Sequence, residues 1–390
     1  MNVLMLSLAD SVFRPSEKTG NTLDRQLEYF EAMQLAAPGS ALTVLVFTRE
    51  SFSTLTPRDG LTFIPVRAPR VQFFPLLGLL AAFRARRHFH PDVVTTQNPF
   101  EAGLLGLLLA QAFGARLEVQ IHFDLLSPYW LQERRAWNPV RLWLAGRILP
   151  RADAIRVVSS PVSARVRKRW RIPGEHITTI PVPVAFETDP ESEELEVRCR
   201  VLADPSSKLV LFVGRLCYQK NLPGLFAVIE GVLDSRPDTE SVLVGDGPKR
   251  AYVAARAAAL DTNRIHVMGN VPYHEIPQYY EAADVLILPS LYEGFGRVVL
   301  EGYLFGTPAV ATRCGGPEDI IRDGETGFLT SIQDMEGFSD RVLWLLDHPG
   351  VARDMGHRGT ELVQREFAPQ KLISKVIGQW KRLAAGGTMR

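Results

Sequence analysis

Short apolar runs rich in β-branched residues alternate with helically periodic stretches along almost the whole chain, and they do so in two successive series. The first series holds NVLMLSL, LTVLVF, DVVTTQ, RLEVQIHF and AIRVVS; the second holds KLVLFVG, ESVLVG, IHVMG, DVLILPS, PAVAT and GFLT. Strands that read as continuous apolar runs are buried on both faces, which means a parallel sheet covered by helices. Helix candidates fill the gaps: residues 22–36 carry Leu23, Leu27, Phe30 and Met33 at helical spacing. The expected class is therefore α/β, with two doubly wound parallel-sheet lobes in tandem.

The two series meet at IPVPVAFETDPESEELE, where closely spaced prolines and an acidic run would sit badly in a central strand. The expected division is a first lobe over 1–180, a linker and the start of the second domain over 181–207, a second lobe over 208–365, and a closing segment over 366–390. In that last segment Leu372, Ile373, Val376, Ile377 and Trp380 fall on one helical face. Open α/β sheets bind ligands beyond the carboxyl ends of their strands, so two such lobes imply a cleft between them.

Charge is unevenly divided. Residues 1–190 hold 22 Lys and Arg against 16 Asp and Glu, while residues 191–390 hold 22 against 27. The Arg-rich front half is too dilute for a duplex-binding domain, so no nucleic-acid partner is expected; it suits phosphates, an anionic membrane surface, or simply a solvated face. Cys199, Cys217 and Cys314 have no metal-ligand spacing and read as reduced thiols of a cytoplasmic protein. The apolar runs at 73–83 and 103–113 fall short of the roughly 20 residues of a spanning helix.

Two stretches carry chemistry. The strand LVLFVG ends in Gly214-Arg215-Leu216 with Lys220-Asn221 close behind, and a guanidinium fork and an ammonium just past a strand end suit a diphosphate. Farther on, DVLILPS runs into Glu293-Gly294-Phe295-Gly296 and a helix expected to start near Gly296 or Arg297. Glycines allow backbone N–H groups to approach a ligand, and the positive helix end favours phosphate. Glu293 and Glu301 would then accept hydrogen bonds from sugar and ribose hydroxyls. Taken singly, these are also two surface cations, a solvated Glu and a helix-capping Glu.

Taken in order, Phe212 to Leu216 with Lys220-Asn221, Gly245-Asp246-Gly247-Pro248, Gly269-Asn270-Val271, Glu293 through Glu301, Gly315-Gly316-Pro317-Glu318 and DGETGFL resemble the donor lobe of the family 4 retaining glycosyltransferases. The resemblance covers about residues 208–380 strongly and the first lobe weakly. It implies the GT-B fold: two Rossmann-like lobes facing across a cleft, with a C-terminal helix returning to the first lobe. It implies a hexosyltransferase acting with retention on a UDP- or GDP-sugar and a carbohydrate or lipid-linked acceptor, in polysaccharide or glycolipid synthesis. Arg215 and Lys220 would neutralise the diphosphate, and Gly214 and the backbone of Gly294, Phe295 and Gly296 would hold phosphate and sugar. Glu301 would bind the ribose, Glu293 the transferred sugar, and Asn270 and Val271 would face the nucleobase. In the first lobe His122 resembles the family's cleft histidine, and Gly20 stands where the family has paired glycines.

The chain departs from that pattern at Gly20, which is single, at Pro181-Val182-Pro183-Val184 near the hinge, and at Arg297, where the family is apolar and where the cation reads either as an extra phosphate ligand or as a helix-start cation. No Asp-any-Asp triplet occurs, so neither a metal nor another cofactor is expected. The segments at 73–90, 133–151 and 165–171 mix Arg with large apolar residues, as interfacial segments do, which makes peripheral attachment to the inner face of a membrane a further expectation. A sugar-nucleotide epimerase of the same fold, or a non-catalytic nucleotide-sugar binding protein, are the competing readings.

Overall fold

A computed structural model of the chain describes all residues except 15–21, 86–88, 135, 185, 187–193, 261–262 and 387–390, and the backbone alone for 194–197. It falls into two compact units, one formed by Met1–Pro181 together with the chain from Gln370 onward, the other by Val182–Pro369.

The sheet of the first unit contains β1 (Asn2–Ser7), β2 (Ala41–Thr48), β3 (Leu55–Arg58), β4 (Leu61–Arg67), β5 (Val93–Thr96), β6 (Arg116–Ile121), β7 (Ala154–Val157) and β8 (Ile177–Thr179). Its order is β3-β4-β2-β1-β5-β6-β7-β8, parallel throughout except for the antiparallel pair β3–β4. The helix Thr22–Ala36 has the bounds its periodicity predicts.

Three strands, β3, β4 and β8, are absent from the sequence reading. Proline hides β4. Gly60 O accepts from Leu42 N, and Ala68 N donates to Thr48 O, so even-numbered positions of β4 face β2. Pro65 therefore turns its missing donor away from β2, beyond Phe63 where pairing with β3 ends.

The helix Pro369–Ala384 packs into the first unit's core beside Tyr29, Met33, Met5 and Val44, with Trp380 fully buried. Beneath it lies the buried carboxylate of Glu118 on β6. Glu118 accepts from Gln379 Nε2 (2.8 Å), Trp380 Nε1 (3.0 Å) and the Thr95 hydroxyl, so its buried oxygens are met by donors from the helix and from the neighbouring strand.

The second sheet contains β9 (Lys208–Val213), β10 (Thr239–Val244), β11 (Ile265–Gly269), β12 (Val285–Leu288), β13 (Ala309–Thr312) and β14 (Gly327–Thr330). All its pairs are parallel, in the order β11-β10-β9-β12-β13-β14. The expected linker over 181–207 is in part structured: Glu194–Val201 is a helix, and Arg198 ties it to Ala282 O (2.6 Å) and Asp284 (3.0 Å) within this unit. Among the described residues no helix is long and apolar enough to cross a membrane, and the three cysteines are unbonded.

Candidate functional site

From β9 the chain moves outward to β10 and β11, then returns to the other side of β9 to form β12. The strand order reverses between β9 and β12, and at such a switch point the two following loops diverge and leave a crevice at the carboxyl edge of the sheet. The loop after β9 carries Gly214, Arg215 and Lys220; the loop after β12 carries Glu293 to Gly296. The two stretches singled out in the sequence flank this crevice.

Lys220 and Glu293, 73 residues apart in sequence, meet in an ion pair of 2.5 Å with both side chains nearly buried. Glu293 Oε1 also accepts from the Ser290 hydroxyl (2.8 Å), and Oε2 accepts from Gln219 Nε2 (3.2 Å). Gln219 is itself fixed by Tyr292 O (3.0 Å). Lys220 uses one of its three donors on Glu293, and Glu293 keeps acceptor capacity at Oε2. Arg215 is exposed, and its guanidinium has no ion-pair partner among the described residues.

Behind Glu293 the backbone is tightly constrained. Glu293 N donates to Cys314 O (3.1 Å) and Gly316 N donates to Glu293 O (3.3 Å), which stitches the loop after β12 to that after β13. A Cβ on Gly316 would lie 2.1 Å from Phe295 Cα, so the approach requires glycine. Gly296, at φ 89°, turns the chain into the helix Arg297–Leu304, a left-handed conformation other residues resist. Gly294 and Phe295 are buried. The first N–H groups of that helix have no intrahelical partners, so its start presents donors and a partial positive charge.

One turn on, Glu301 is buried. Its Oε2 accepts from Tyr280 Oη (2.8 Å), and its Oε1 pairs with Arg297 Nη2 (3.2 Å). Burial and the negative charge of Glu301 raise the Tyr280 pKa well above the usual phenol value, so the hydroxyl stays protonated as a donor. Arg297 Nε is buried without a partner among the described residues. Asn270 is exposed and Val271 half-buried just past β11, two strands from β9.

The first unit places His122 directly after β6. Gln120 Nε2 donates to Thr95 Oγ1 (2.7 Å), which turns Gln120 Oε1 toward His122 Nε2 at 2.9 Å. That network assigns the proton to Nε2 and leaves Nδ1 an acceptor. Burial, then the positive charges of Arg156 and Arg25, push the His122 pKa down to about 3. The folded ring is thus neutral, whereas an unfolded one titrates at 6.5. Between those values the unfolded state binds more protons, so stability falls as pH drops from about 6.5 toward 3. In urea unfolding at pH 7 and pH 4.5, His122→Gln is expected to lose less stability on acidification than the parent chain. Parallel losses would mean that the folded imidazole is charged.

Gly20 lies outside the described residues. Of the other residues expected in the site, the structure joins Lys220 directly to Glu293 and sets Glu301 one helical turn from Gly296. Sequence reasoning missed Gln219, Ser290 and Tyr280, which hold the two carboxylates, and left Arg297 between an extra phosphate ligand and a helix-start cation. The one signal present was proximity: Ser290 lies three residues before Glu293, and Gln219 adjoins Lys220.

Two family models match the chain, Glycosyl transferases group 1 over residues 196–362 and Glycosyltransferase Family 4 over residues 32–187. The alpha-D-kanosaminyltransferase of Streptomyces kanamyceticus is 24% identical over 308 residues, 77% of this chain and 78% of that protein. The D-inositol 3-phosphate glycosyltransferase of Corynebacterium diphtheriae is 33% identical over 162 residues, 40% of this chain and 38% of that protein. Among solved structures, sucrose-phosphate synthase from Thermosynechococcus elongatus superimposes with a TM-score of 0.82 at 23% identity, covering 99% of this chain and 100% of that one. HepE of Anabaena, solved in complex with UDP-glucose, gives 0.74 at 17% identity, covering 97% and 98%. The structural likeness establishes a GT-B fold, and with the two family models spanning most of the sequence, the chain belongs to the family 4-type glycosyltransferases.

Proposed function

We propose that the chain moves a hexose from a UDP- or GDP-sugar to a hydroxyl of a carbohydrate or lipid-linked acceptor, with retention at the anomeric carbon and without a resident metal. The observation that carries this reading is the Lys220–Glu293 pair at the switch point of the second sheet, with Arg215 exposed beside it. A nucleoside diphosphate laid along the carboxyl edge would set its base near Asn270 and Val271, about 10 Å from the β9 loop at two strand spacings. Its diphosphate would meet Arg215, the two remaining donors of Lys220 and the start of the helix Arg297–Leu304. Arg297 Nε, buried without a partner among the described residues, adds a donor aimed by its pair with Glu301.

The chemistry asks little covalent work of the protein. The glycosidic bond breaks toward the diphosphate, whose growing charge the cations and helix start stabilise, and the acceptor oxygen attacks from the same face as the leaving group departs. Glu293 Oε2 has the capacity to hold a sugar hydroxyl during this exchange. Glu301 lies with Tyr280 away from the breaking bond and serves the ribose. His122, neutral and with Nδ1 as acceptor, would accept from a sugar hydroxyl and carry no charge into the reaction. The transferase activities named for the kanosaminyl and inositol phosphate relatives support glycosyl transfer, and the UDP-glucose bound to HepE supports a nucleotide-sugar donor.

The test is release of nucleotide diphosphate from UDP- and GDP-sugars in EDTA, with and without an acceptor panel, and the anomeric configuration of the product read by NMR. Acceptor-dependent release in EDTA with retained configuration is expected. Activity lost to EDTA and restored by Mg²⁺ or Mn²⁺ would overturn the metal-independent mechanism. Tight nucleotide-sugar binding with no release toward any acceptor would favour a binding protein.

A further inference from the structure

Along β1, β5 and β6 successive side chains point to opposite faces. Met5, Thr95 and Glu118 face the helix Pro369–Ala384, while Leu6, Thr96 and Leu117 lie under Gly106 on the other side. That other side is covered by the helices Phe74–Ala85, Glu101–Phe113 and Asn138–Ile148, with Ser160–Trp170 beside the last. Small residues bring them together. A Cβ on Gly78 would lie 2.4 Å from Leu105 Cδ2, one on Gly103 3.4 Å from Ile148 Cδ1, and one on Gly146 2.8 Å from Trp170 Nε1.

The outer surface of this helical layer is unusually apolar. Phe73, Leu76, Leu80, Leu108, Val140 and Trp143 are each between 38% and 61% exposed. Phe73, Leu76 and Leu80 follow one another at three- and four-residue spacing, as a single stripe. Scattered exposed apolar residues need no explanation, but six gathered on one layer mark an interaction surface.

Charge says which kind. The four helices contain a single acidic residue, Glu101, and it is buried against Arg141 at 2.8 Å. Arg84, Arg147, Arg167, Lys168 and Arg169 are exposed. Arg147 lies over the Trp143 ring at 5.1 Å and Arg169 over Trp170 at 5.8 Å, so cations are held beside indoles. Between these helices is a groove of about 500 Å³ lined by Leu131, Pro139, Trp143, Arg147, Arg169 and Trp170. Guanidinium and indole N–H groups donate and never accept. Whatever enters must bring acceptors and negative charge, with apolar surface alongside.

We propose that this face of the first unit docks on an anionic lipid bilayer. The groove takes a lipid phosphate, and Leu76, Leu80, Val140 and Trp143 enter the boundary between headgroups and acyl chains. A second copy of the chain fits poorly. A two-fold interface sets the same patch against itself, here a cationic one. A nucleic acid would leave the apolar stripe uncovered.

The experiment is sedimentation of the full chain with vesicles of phosphatidylcholine alone and of phosphatidylcholine mixed with phosphatidylglycerol. Binding to the anionic vesicles, weakened by salt, is expected. The surface electrostatic contribution of each basic residue is about fivefold in partitioning, so Arg147→Ser with Arg169→Ser should weaken binding on the order of 25-fold. Trp143→Ser should weaken it too, while Val351→Ser, an exposed apolar residue of the second unit, leaves it unchanged. All these side chains are at the surface or groove, and melting curves check that each variant is folded. Equal binding to both vesicle types, binding to neither, or full binding by the double-serine variant would overturn the proposal. So would a dimer in the absence of lipid that Trp143→Ser dissolves.

Discussion

Replacing Lys220 by methionine is expected to lower turnover at saturating donor by about 10- to 150-fold, the loss of one charged hydrogen-bonding partner of the departing diphosphate. The diphosphate gains charge as the glycosidic bond breaks, so the ammonium contributes more to the transition state than to the bound donor. The structure adds a second consequence. Lys220 is the cation paired with Glu293, and removing it leaves a nearly buried carboxylate held by Ser290 and Gln219 alone. Stranding one partner of a buried pair costs about 3–5 kcal/mol of stability. The double variant Lys220→Met with Glu293→Gln separates the two effects, since it removes both charges: stability should largely recover while turnover stays low. Glu301→Gln should behave differently. It keeps an acceptor for Tyr280 and, as the proposed ribose ligand, would stand away from the breaking bond, so it should raise KM for the donor more than it lowers kcat. Near-normal turnover in a folded Lys220→Met enzyme would place the diphosphate elsewhere.

Trp380→Ala should be the most damaging single change to stability. The side chain is wholly enclosed, packs edge-on against Tyr29 at 5.8 Å between centroids, and donates to Glu118. Emptying such a site costs about 3–5 kcal/mol. Trp380→Phe fills most of the space but leaves Glu118 short of one donor, for about 1–3 kcal/mol. Urea unfolding monitored by circular dichroism should rank parent, Phe and Ala in that order. Equal midpoints for all three would mean that the helix Pro369–Ala384 contributes nothing to the first unit.

The strands that build the two sheets are legible because a strand buried on both faces must be apolar along its whole length, as Leu209 to Val213 and Val285 to Leu288 are. β4 is obscured by Pro65, whose acceptability depends on which neighbour its nitrogen faces, and β8 is only Ile177–Thr179. At the site, residue types and their order announce Lys220, Glu293 and Glu301, because glycine, acid and cation follow strand ends. Sequence cannot announce that Lys220 reaches Glu293 across 73 residues, or that Tyr280 closes on Glu301 from another helix. Those contacts follow from β12 returning beside β9. Arg297 illustrates the same limit: its significance comes from Glu301 one turn away, which fixes one end of the guanidinium and leaves Nε buried without a partner among the described residues.

The enclosure of Gln379 and Trp380 beside Glu118, 261 and 262 residues away in sequence, also sets an order of events during synthesis. When β8 leaves the ribosome, the first sheet is complete, yet one face still lacks its last helix, and the polypeptide of the second unit must be made before that helix exists. At about 5–20 residues per second, Val182–Pro369 takes on the order of 10–40 s to translate. Throughout that interval Met5, Tyr29 and Val44 face water on the side that Trp380 later covers, and Glu118 lacks two of its donors. The nascent first unit is thus a natural client for a holdase, and stop codons placed between Thr330 and Trp380 should yield chains that aggregate even though both sheets are fully encoded.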